Sequence, residues 1–341
     1  MNKVSVVILN WNGAEMLRRF LPSVLAGSAG EGIEVCVADN GSSDDSCRML
    51  EQEFPAVRLI RLDRNYGFAD GYNKAFEQVD AEYAVLLNSD VEVSPGWLTP
   101  MVEYMDLHPD VAACQPKLLD WKQKDRFEYA GAAGGFIDRY GYPFCRGRIF
   151  EVVEKDEGQY DVPISVFWAT GAALFIRLDK YREVGGLDGR FFAHMEEIDL
   201  CWRLRSRGYK LFCLPESKVW HVGGATLKKE NPRKTFLNFR NNLLMLYKNL
   251  PPEELRPVMK IRACLDYVAA CVFLLKGDWG NFRAVIQARK EYARLRPQFR
   301  ADRQENLDKA VGFNVSGRFS FSILWQSKLL GHKKYSDLPL K

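Results

Sequence analysis

Across the first hundred residues, short β-rich runs alternate with stretches long enough to form a helix. The runs span residues 4–9, 33–38, 57–62 and 83–87. Their spacing predicts βαβ units and a mostly parallel sheet flanked by helices, an α/β fold. Ligands of such sheets bind beyond the carboxyl ends of the strands. The polar clusters fall there: Asn10-Trp11-Asn12-Gly13 after the first run, Asp39 to Asp44 after the second, Asn88-Ser89-Asp90 after the fourth. From residue 111 to 222 the alternation loosens around glycine clusters at 131–135 and 185–189, which predicts an irregular region packed on the same sheet. From Asn238 the pattern is helical, broken at Pro251-Pro252, with helices over 261–275 and 281–294. The division that follows is one domain over 1–249, with a regular half (1–110) and an irregular half (111–249), and a helical C-terminal extension over 250–341.

Composition narrows the class. Of 341 residues, 27% are charged and 47% hydrophobic, which fits a folded globular chain, and a formal net charge of +4 without a nucleic-acid-binding motif argues against a nucleic-acid partner. The eight cysteines show no C-x-x-C spacing and read as reduced core residues of a cytosolic protein. The opening apolar run is too short for a signal-peptide core. The strongest candidate for a membrane span, residues 261–275, is interrupted by Arg262 and Asp266, so no bilayer-spanning segment is expected.

Three clusters carry chemistry. Asn88-Ser89-Asp90 follows a strongly apolar strand, where a hard divalent cation bridged to a diphosphate would find a carboxylate; alone, the motif also suits a turn or a helix cap. Glu196, Glu197 and Asp199 make the first turn of a predicted helix strongly acidic, and dipole compensation is the plain alternative. His221, one of four histidines, sits between an apolar strand and the turn Gly223-Gly224, where a histidine by itself is more often structural. Together they supply what is needed to displace a nucleotide from an anomeric carbon: a metal for the leaving diphosphate and a carboxylate base for the incoming hydroxyl. A dinucleotide-dependent oxidoreductase would require G-x-G-x-x-G after the first strand, where this chain has Asn10 to Gly13.

In this order, from residue 4 to about 249, the elements resemble the inverting family-two glycosyltransferases of the GT-A fold, specifically the rhamnosyltransferase-like branch. The resemblance implies that Asn10 and Asn12 lie in the nucleotide loop and that Asp39 contacts the base. It implies that Asn65, Gly67, Gly71 and Asn73, an N-x-G-x-x-x-G-x-N segment, close over the donor. Asn88, Ser89 and Asp90 stand where the family has its D-x-D metal motif, with Asp90 the retained carboxylate, and His221 stands where relatives place a metal-ligating histidine. Trp168, Thr170 and Gly171 match a glycine-containing strand beside the reaction centre on the acceptor side. Glu196-Glu197-Ile198-Asp199 matches an ED or DD motif whose second acid is the base, here Glu197, with Glu196 and Asp199 as alternatives.

The implied cofactor is Mn2+ or Mg2+. The implied donor is a nucleotide sugar, deoxythymidine diphosphate rhamnose ahead of a uridine diphosphate hexose, and the implied acceptor is a glycan or lipid-linked glycan of a bacterial envelope. A non-catalytic sugar-nucleotide-binding module is the alternative, against which the joint presence of Asp90, Glu197 and His221 argues. Between Asn281 and Arg303, seven Lys or Arg stand against two acids, interleaved with Phe282, Val285, Ile286, Tyr292, Leu295 and Phe299. That pattern suits a helix on an anionic membrane surface, or equally one packed on its own domain or a second subunit. The expected location is cytoplasmic, peripheral on the inner face of the cell membrane.

Overall fold

The structure is a computed structural model, which describes residues 1–223 and 231–340; Gly224 lies outside the described residues. The N-terminal half follows the alternation: β1 (Asn2–Asn10), α1 (Ala14–Gly27), β2 (Ile33–Asn40), α2 (Ser46–Glu53), β3 (Arg58–Leu62), α3 (Gly67–Glu77) and β4 (Ala81–Asn88). Val4, Val6 and Ile8 of β1 pack with Leu17, Leu21 and Val24 of α1. Val7 points the other way, into the core that holds Ala69, Tyr72 and Phe76 of α3. Both faces of the strand are therefore buried, and its sequence reads as one apolar run.

Next come β5 (Val91–Val93), α4 (Thr99–Leu107) and β6 (Val111–Asp120). A small antiparallel sheet follows, built from β7 (Gly135–Ile137), β8 (Pro143–Cys145), β9 (Arg148–Ile149) and β10 (Val152–Val153). The chain then returns to the main sheet through β11 (Ile164–Ser165), β12 (Ala173–Arg177), α5 (Leu178–Glu183), α6 (Glu196–Ser206) and β13 (Lys210–His221). The main sheet has the order β11-β13-β6-β12-β4-β1-β2-β3, with β5 on β13. β1 is parallel to β2 and β4, β2 to β3, and β13 to β6, while β12 is antiparallel to both β4 and β6. Six of the nine strands thus run one way, and Asn10, Asp39, Asn88 and His221 all reach one edge. Because β12 runs backwards, its start delivers Gly171 to that same edge.

Helices α7 (Pro232–Asn249), α8 (Pro252–Leu275), α9 (Trp279–Leu295) and α10 (Arg300–Asp308) complete the chain, with Pro251-Pro252 at the α7–α8 break. The boundary read at residue 249 falls between α7 and α8, yet Val258, Tyr292, Phe299, Val315 and Tyr335 share a core with the catalytic region. Val285, Tyr292 and Phe299 are buried there and Phe282, Ile286 and Leu295 half-buried, so this face of 281–303 packs on its own domain. All eight cysteines are free; five are buried, Cys47 is half-buried, and Cys264 and Cys271 are exposed on α8 rather than in the core.

The turn before α6 is strained. Phe192, His194 and Met195 have φ of 66°, 71° and 72°, a left-handed conformation that costs a side-chain-bearing residue about 1–2 kcal/mol. Asn241 of α7, fully buried, holds it: its amide nitrogen donates to the carbonyls of Phe191 (3.0 Å), Ala193 (2.9 Å) and His194 (2.7 Å). From the other side, Phe68 N of α3 donates to Phe192 O (2.9 Å). Replacing Asn241 by alanine leaves buried carbonyls without a donor and is expected to lower stability by about 2–3 kcal/mol in urea unfolding. Asn241→Asp, which sets an acceptor against acceptors, is expected to lose at least as much; an unchanged midpoint for both would show that the turn holds itself.

Candidate active site

At the carboxyl end of β1, Asn10 is fully buried and its Nδ2 donates to Asp39 Oδ1 (3.1 Å) and Ser42 Oγ (3.2 Å), while its Oδ1 has no partner. Ser42 N donates to Asp39 Oδ2 (3.0 Å). Asn12, with φ of 52°, accepts from Ser43 N (2.8 Å) through its side chain, so it braces the second loop. Gly13 leaves space beside both Asn10 and Ser89: a Cβ there would collide with Asn10 Oδ1 and lie 3.8 Å from Ser89 Oγ. Trp11, which stands in this loop, is 52% exposed.

The segment from Asn65 to Asn73 works mainly by bracing. Asn65 Oδ1 accepts from Gly67 N (2.8 Å) and Asn40 Nδ2 (3.2 Å). Gly67 has φ of 77°, and a Cβ on it would strike the Phe192 ring. Gly71 lets α3 approach Leu9 of β1. Asn73 is engaged at both polar ends, donating to Leu187 O (2.8 Å) and accepting from Leu187 N (3.0 Å) and Tyr181 Oη (2.5 Å). The polar atoms of Asn73 and the space at Gly71 are thus taken up by packing within the protein.

Asn88, Asp90 and His221 converge where β4 and β13 end. His221 Nε2 lies 3.1 Å from Asp90 Oδ1 and 3.2 Å from the Asn88 amide nitrogen; His221 Nδ1 lies 3.4 Å from Glu128 Oε1. Burial by itself would lower the imidazole pKa, but its contacts with Asp90 and Glu128 raise it to about 10. Burial likewise opposes ionisation of Asp90, and the His221 partner outweighs it and holds the carboxyl below its ordinary value. Among the described residues no three His, Cys, Asp or Glu side chains are arranged to hold a metal unaided. A small divalent cation is usually held by one or two protein ligands plus substrate phosphates, and that donor set is what Asp90 and His221 offer. Two atoms 3.1 Å apart match neighbouring ligands on one ion at about 2.1 Å. Glu128, buried behind the ring, lies on its Nδ1 side at ion-pair distance, opposite the Nε2 that faces Asp90. No sequence signal marks Glu128, because it precedes an irregular glycine segment with no readable period.

The acidic helix α6 begins beside Gly171. A Cβ on Gly171 would lie 3.7 Å from Glu197 Cβ and 3.1 Å from Phe68 Cζ, and Asn88 N donates to the adjoining Ala172 O (3.0 Å), which ties this turn to the end of β4. Glu196 is buried, and among the described residues neither Glu196 nor Glu197 has a partner for its buried Oε2. Burial raises the pKa of each, and the charge of Glu197 adds to the rise at Glu196. Asp199 differs: it is fully buried, and its carboxylate accepts from Arg203 Nε (2.9 Å), Lys248 Nζ (2.8 Å) and Asn249 Nδ2 (2.8 Å). It is a structural anion with no oxygen free for an acceptor. Trp168 is 4% exposed with its indole nitrogen donating to Phe136 O (2.9 Å), so it is core rather than an acceptor platform. Thr170 is also buried, its hydroxyl accepting from Ala172 N (3.2 Å), and shapes the turn that carries Gly171.

A sequence profile described as Glycosyl transferase family 2 matches residues 5–157. The chain is 28% identical over 234 residues to an N-acetylglucosaminyl-diphospho-decaprenol L-rhamnosyltransferase of Mycobacterium tuberculosis, covering 63% of this chain and 75% of that protein. Its fold is similar to that of GalNAc-T7 solved with UDP, GalNAc and Mn2+ (TM-score 0.54, 17% identity, 73% of this chain and 48% of that one), so it spans about half of that protein. It is also similar to an S. aureus TarS fragment in complex with UDP-GlcNAc (TM-score 0.57, 14% identity, 90% of this chain and 89% of that one). The profile over residues 5–157, the relative and the GT-A-like fold agree in likening this chain to the glycosyltransferases of family 2, a rhamnosyltransferase among them.

Proposed function

We propose that this glycosyltransferase inverts the anomeric centre of a nucleotide sugar, with deoxythymidine diphosphate rhamnose the favoured donor and a lipid-linked glycan the acceptor. The donor and acceptor follow from the rhamnosyl transfer to a polyprenyl-linked sugar named for the M. tuberculosis relative. The observation that carries the mechanism is Glu197, a carboxylate with an unpaired buried oxygen beside the Gly171 turn that is tied to the end of β4. Asp39, Asn10 and the turn at Asn65 and Gly67 form the donor end. Asp90 and His221 would hold a divalent cation, Mn2+ or Mg2+, whose charge neutralises the diphosphate when it is bound.

In the transfer, Glu197 takes the proton from the acceptor hydroxyl as that oxygen bonds to the anomeric carbon. The bond from that carbon to the diphosphate oxygen breaks on the opposite face, and its electron pair leaves with the nucleotide. Positive charge gathering on the sugar ring is stabilised by the carboxylate nearby. Glu197 fits the role better than its neighbours, since Asp199 is saturated by cations and Glu196 is the more deeply buried of the two glutamates. Its raised pKa brings it nearer the operating pH of a general base.

Three outcomes test this reading. Glu197→Gln keeps size and hydrogen bonding but not basicity, and is expected to depress transfer by about 10²-fold or more with donor affinity nearly unchanged; near-normal transfer would move the base to Glu196. Asp90→Ala and His221→Ala are expected to weaken donor binding about tenfold or more by calorimetry and to lower turnover. A chelator should impose the same loss on the wild type and little more on either variant.

The third outcome is a pH dependence of stability. Burial raises Glu196 above its ordinary value of 4.5, so the folded chain keeps a proton that the unfolded chain releases. Its favourable contribution is full below that value and is lost as pH rises toward the folded-state pKa. Glu196→Gln is expected to melt at a higher temperature than wild type at about pH 8 and at the same temperature at about pH 4. Equal midpoints at both would mean that Glu196 ionises freely in the folded chain.

A further inference from the structure

Helix α8 is built with its polarity reversed. The residues it buries at four-residue spacing are Val258, Arg262, Asp266 and Ala270. Arg262 and Asp266 pair there (3.2 Å); Arg262 also donates to Tyr140 O (2.8 Å) and to Asn242 Oδ1, and Asp266 accepts from Arg289 of α9 (2.6 Å). The opposite side carries Ile261, Cys264, Val268, Cys271, Val272 and Leu275, all exposed, with Val268 at 60% and Leu275 at 87%. These positions recur at the three- and four-residue steps of a single helical stripe. A helix facing only water would place its charges outward and its aliphatic side chains inward. Here the charges are internal and mutually satisfied, while the stripe faces out of the protein.

The surroundings of the stripe indicate what covers it. Exposed lysines bound it at both ends, Lys260 and Lys276, and Arg256, Arg283 and Lys290 are exposed on the same pair of helices. Between residues 255 and 290 there are only two acids: Asp266 is buried, and Asp278 caps α9 by accepting from Asn281 N (3.0 Å). Next to the C-terminal end of the stripe stands Trp279, 59% exposed, and Tyr267 is 51% exposed on α8 itself. An aliphatic stripe edged by cations and amphipathic aromatics, with no free carboxylate, complements an anionic lipid surface, whose acyl boundary takes the stripe and whose headgroups take the flanking cations and aromatic rings, and does not complement another basic chain. Among the described residues no helix is long and apolar enough to cross a membrane, so the helix would lie on the surface. We propose that the outer face of α8 docks this protein onto a bilayer containing anionic phospholipid, with the stripe in the acyl boundary and Trp279 at headgroup level. The docking face stands whether or not the acceptor is lipid-linked.

The test is flotation of the full chain with vesicles of phosphatidylcholine and phosphatidylglycerol, beside vesicles of phosphatidylcholine alone. Binding is expected to the anionic vesicles, weakening with salt. The double variant Val268→Glu, Val272→Glu, altered only at exposed positions, is expected to lower vesicle partitioning about tenfold or more. Its affinity for uridine or deoxythymidine diphosphate, read by calorimetry, should remain that of the wild type, which shows an intact fold and separates this test from that of the catalytic reading. Protection of the exposed Cys264 and Cys271 thiols from a water-soluble maleimide on adding anionic vesicles would support the same face. Equal partitioning of wild type and double variant would overturn the proposal. So would a wild type that ignores both vesicles and sediments as a dimer which the double variant turns into monomers, since the occupant would then be a second copy.

Discussion

The carboxylate of Asp199 is the point on which the reaction centre rests. It sits fully buried in α6 and joins Arg203 on its own helix to Lys248 and Asn249 on α7. Lys248 in turn reaches Asp188 (2.7 Å), which also pairs with Arg190 (2.7 Å), and these cations hold the Asp188 carboxyl far below its ordinary range. Breaking one partner of such a network leaves a buried charge uncompensated, which costs far more than an exposed pair contributes. With α6 pinned to α7 in this way, the same α7 can present Asn241 to the strained turn at 192–195. Two adjacent glutamates can then be held at the helix start with oxygens that no group among the described residues satisfies.

The acidic helix and the metal-side cluster handle charge in opposite ways. At Glu196 and Glu197, burial without partners raises the pKa and leaves acceptor capacity unused. At His221, the flanking Asp90 and Glu128 outweigh burial and raise the imidazole pKa to about 10. The sheet edge brings both environments to the carboxyl ends of the parallel strands, α6 through the Gly171 turn and His221 at the end of β13.

Much of this was legible from the chain. The four N-terminal strands follow from residues 4–9, 33–38, 57–62 and 83–87: β1 and β4 because a strand buried on both faces is a local feature of composition, and the edge strand β3 from its spacing after α2. The clusters at Asn10, Asp39, Asn88 and His221 were readable because parallel strands deliver them to one edge. What was not readable depended on tertiary partners. Asp199 and Glu197 are indistinguishable as letters two apart, and only the arrival of Lys248 and Asn249 from fifty residues away makes one structural. Trp168 and Asn73 carry recognisable motif positions, but Phe136 O, Tyr181 and Leu187 engage their polar atoms. Glu128 and Asn241 act through groups that no local pattern announces.

The C-terminal helices show the same limit from the other side. In the sequence, Arg262 and Asp266 interrupt an apolar stretch and so argue against a bilayer-spanning segment, without saying which way they face. In the fold they are the buried ones. A buried ion pair is rarely more stabilising than apolar residues of equal volume, so placing Arg262, Asp266 and Arg289 between α8, α9 and the Tyr140 region is poorly explained by stability. What the arrangement does provide is direction: Arg262 reaches Tyr140 O and Asn242, neighbours of the turn that Asn241 clamps, and fixes the rotation of α8 about its axis. Once that rotation is fixed by charges on the inside, the aliphatic residues are outside by geometry. The helix that orients the exposed stripe is thereby coupled, through adjacent residues of α7, to the strained turn that holds Glu196 and Glu197.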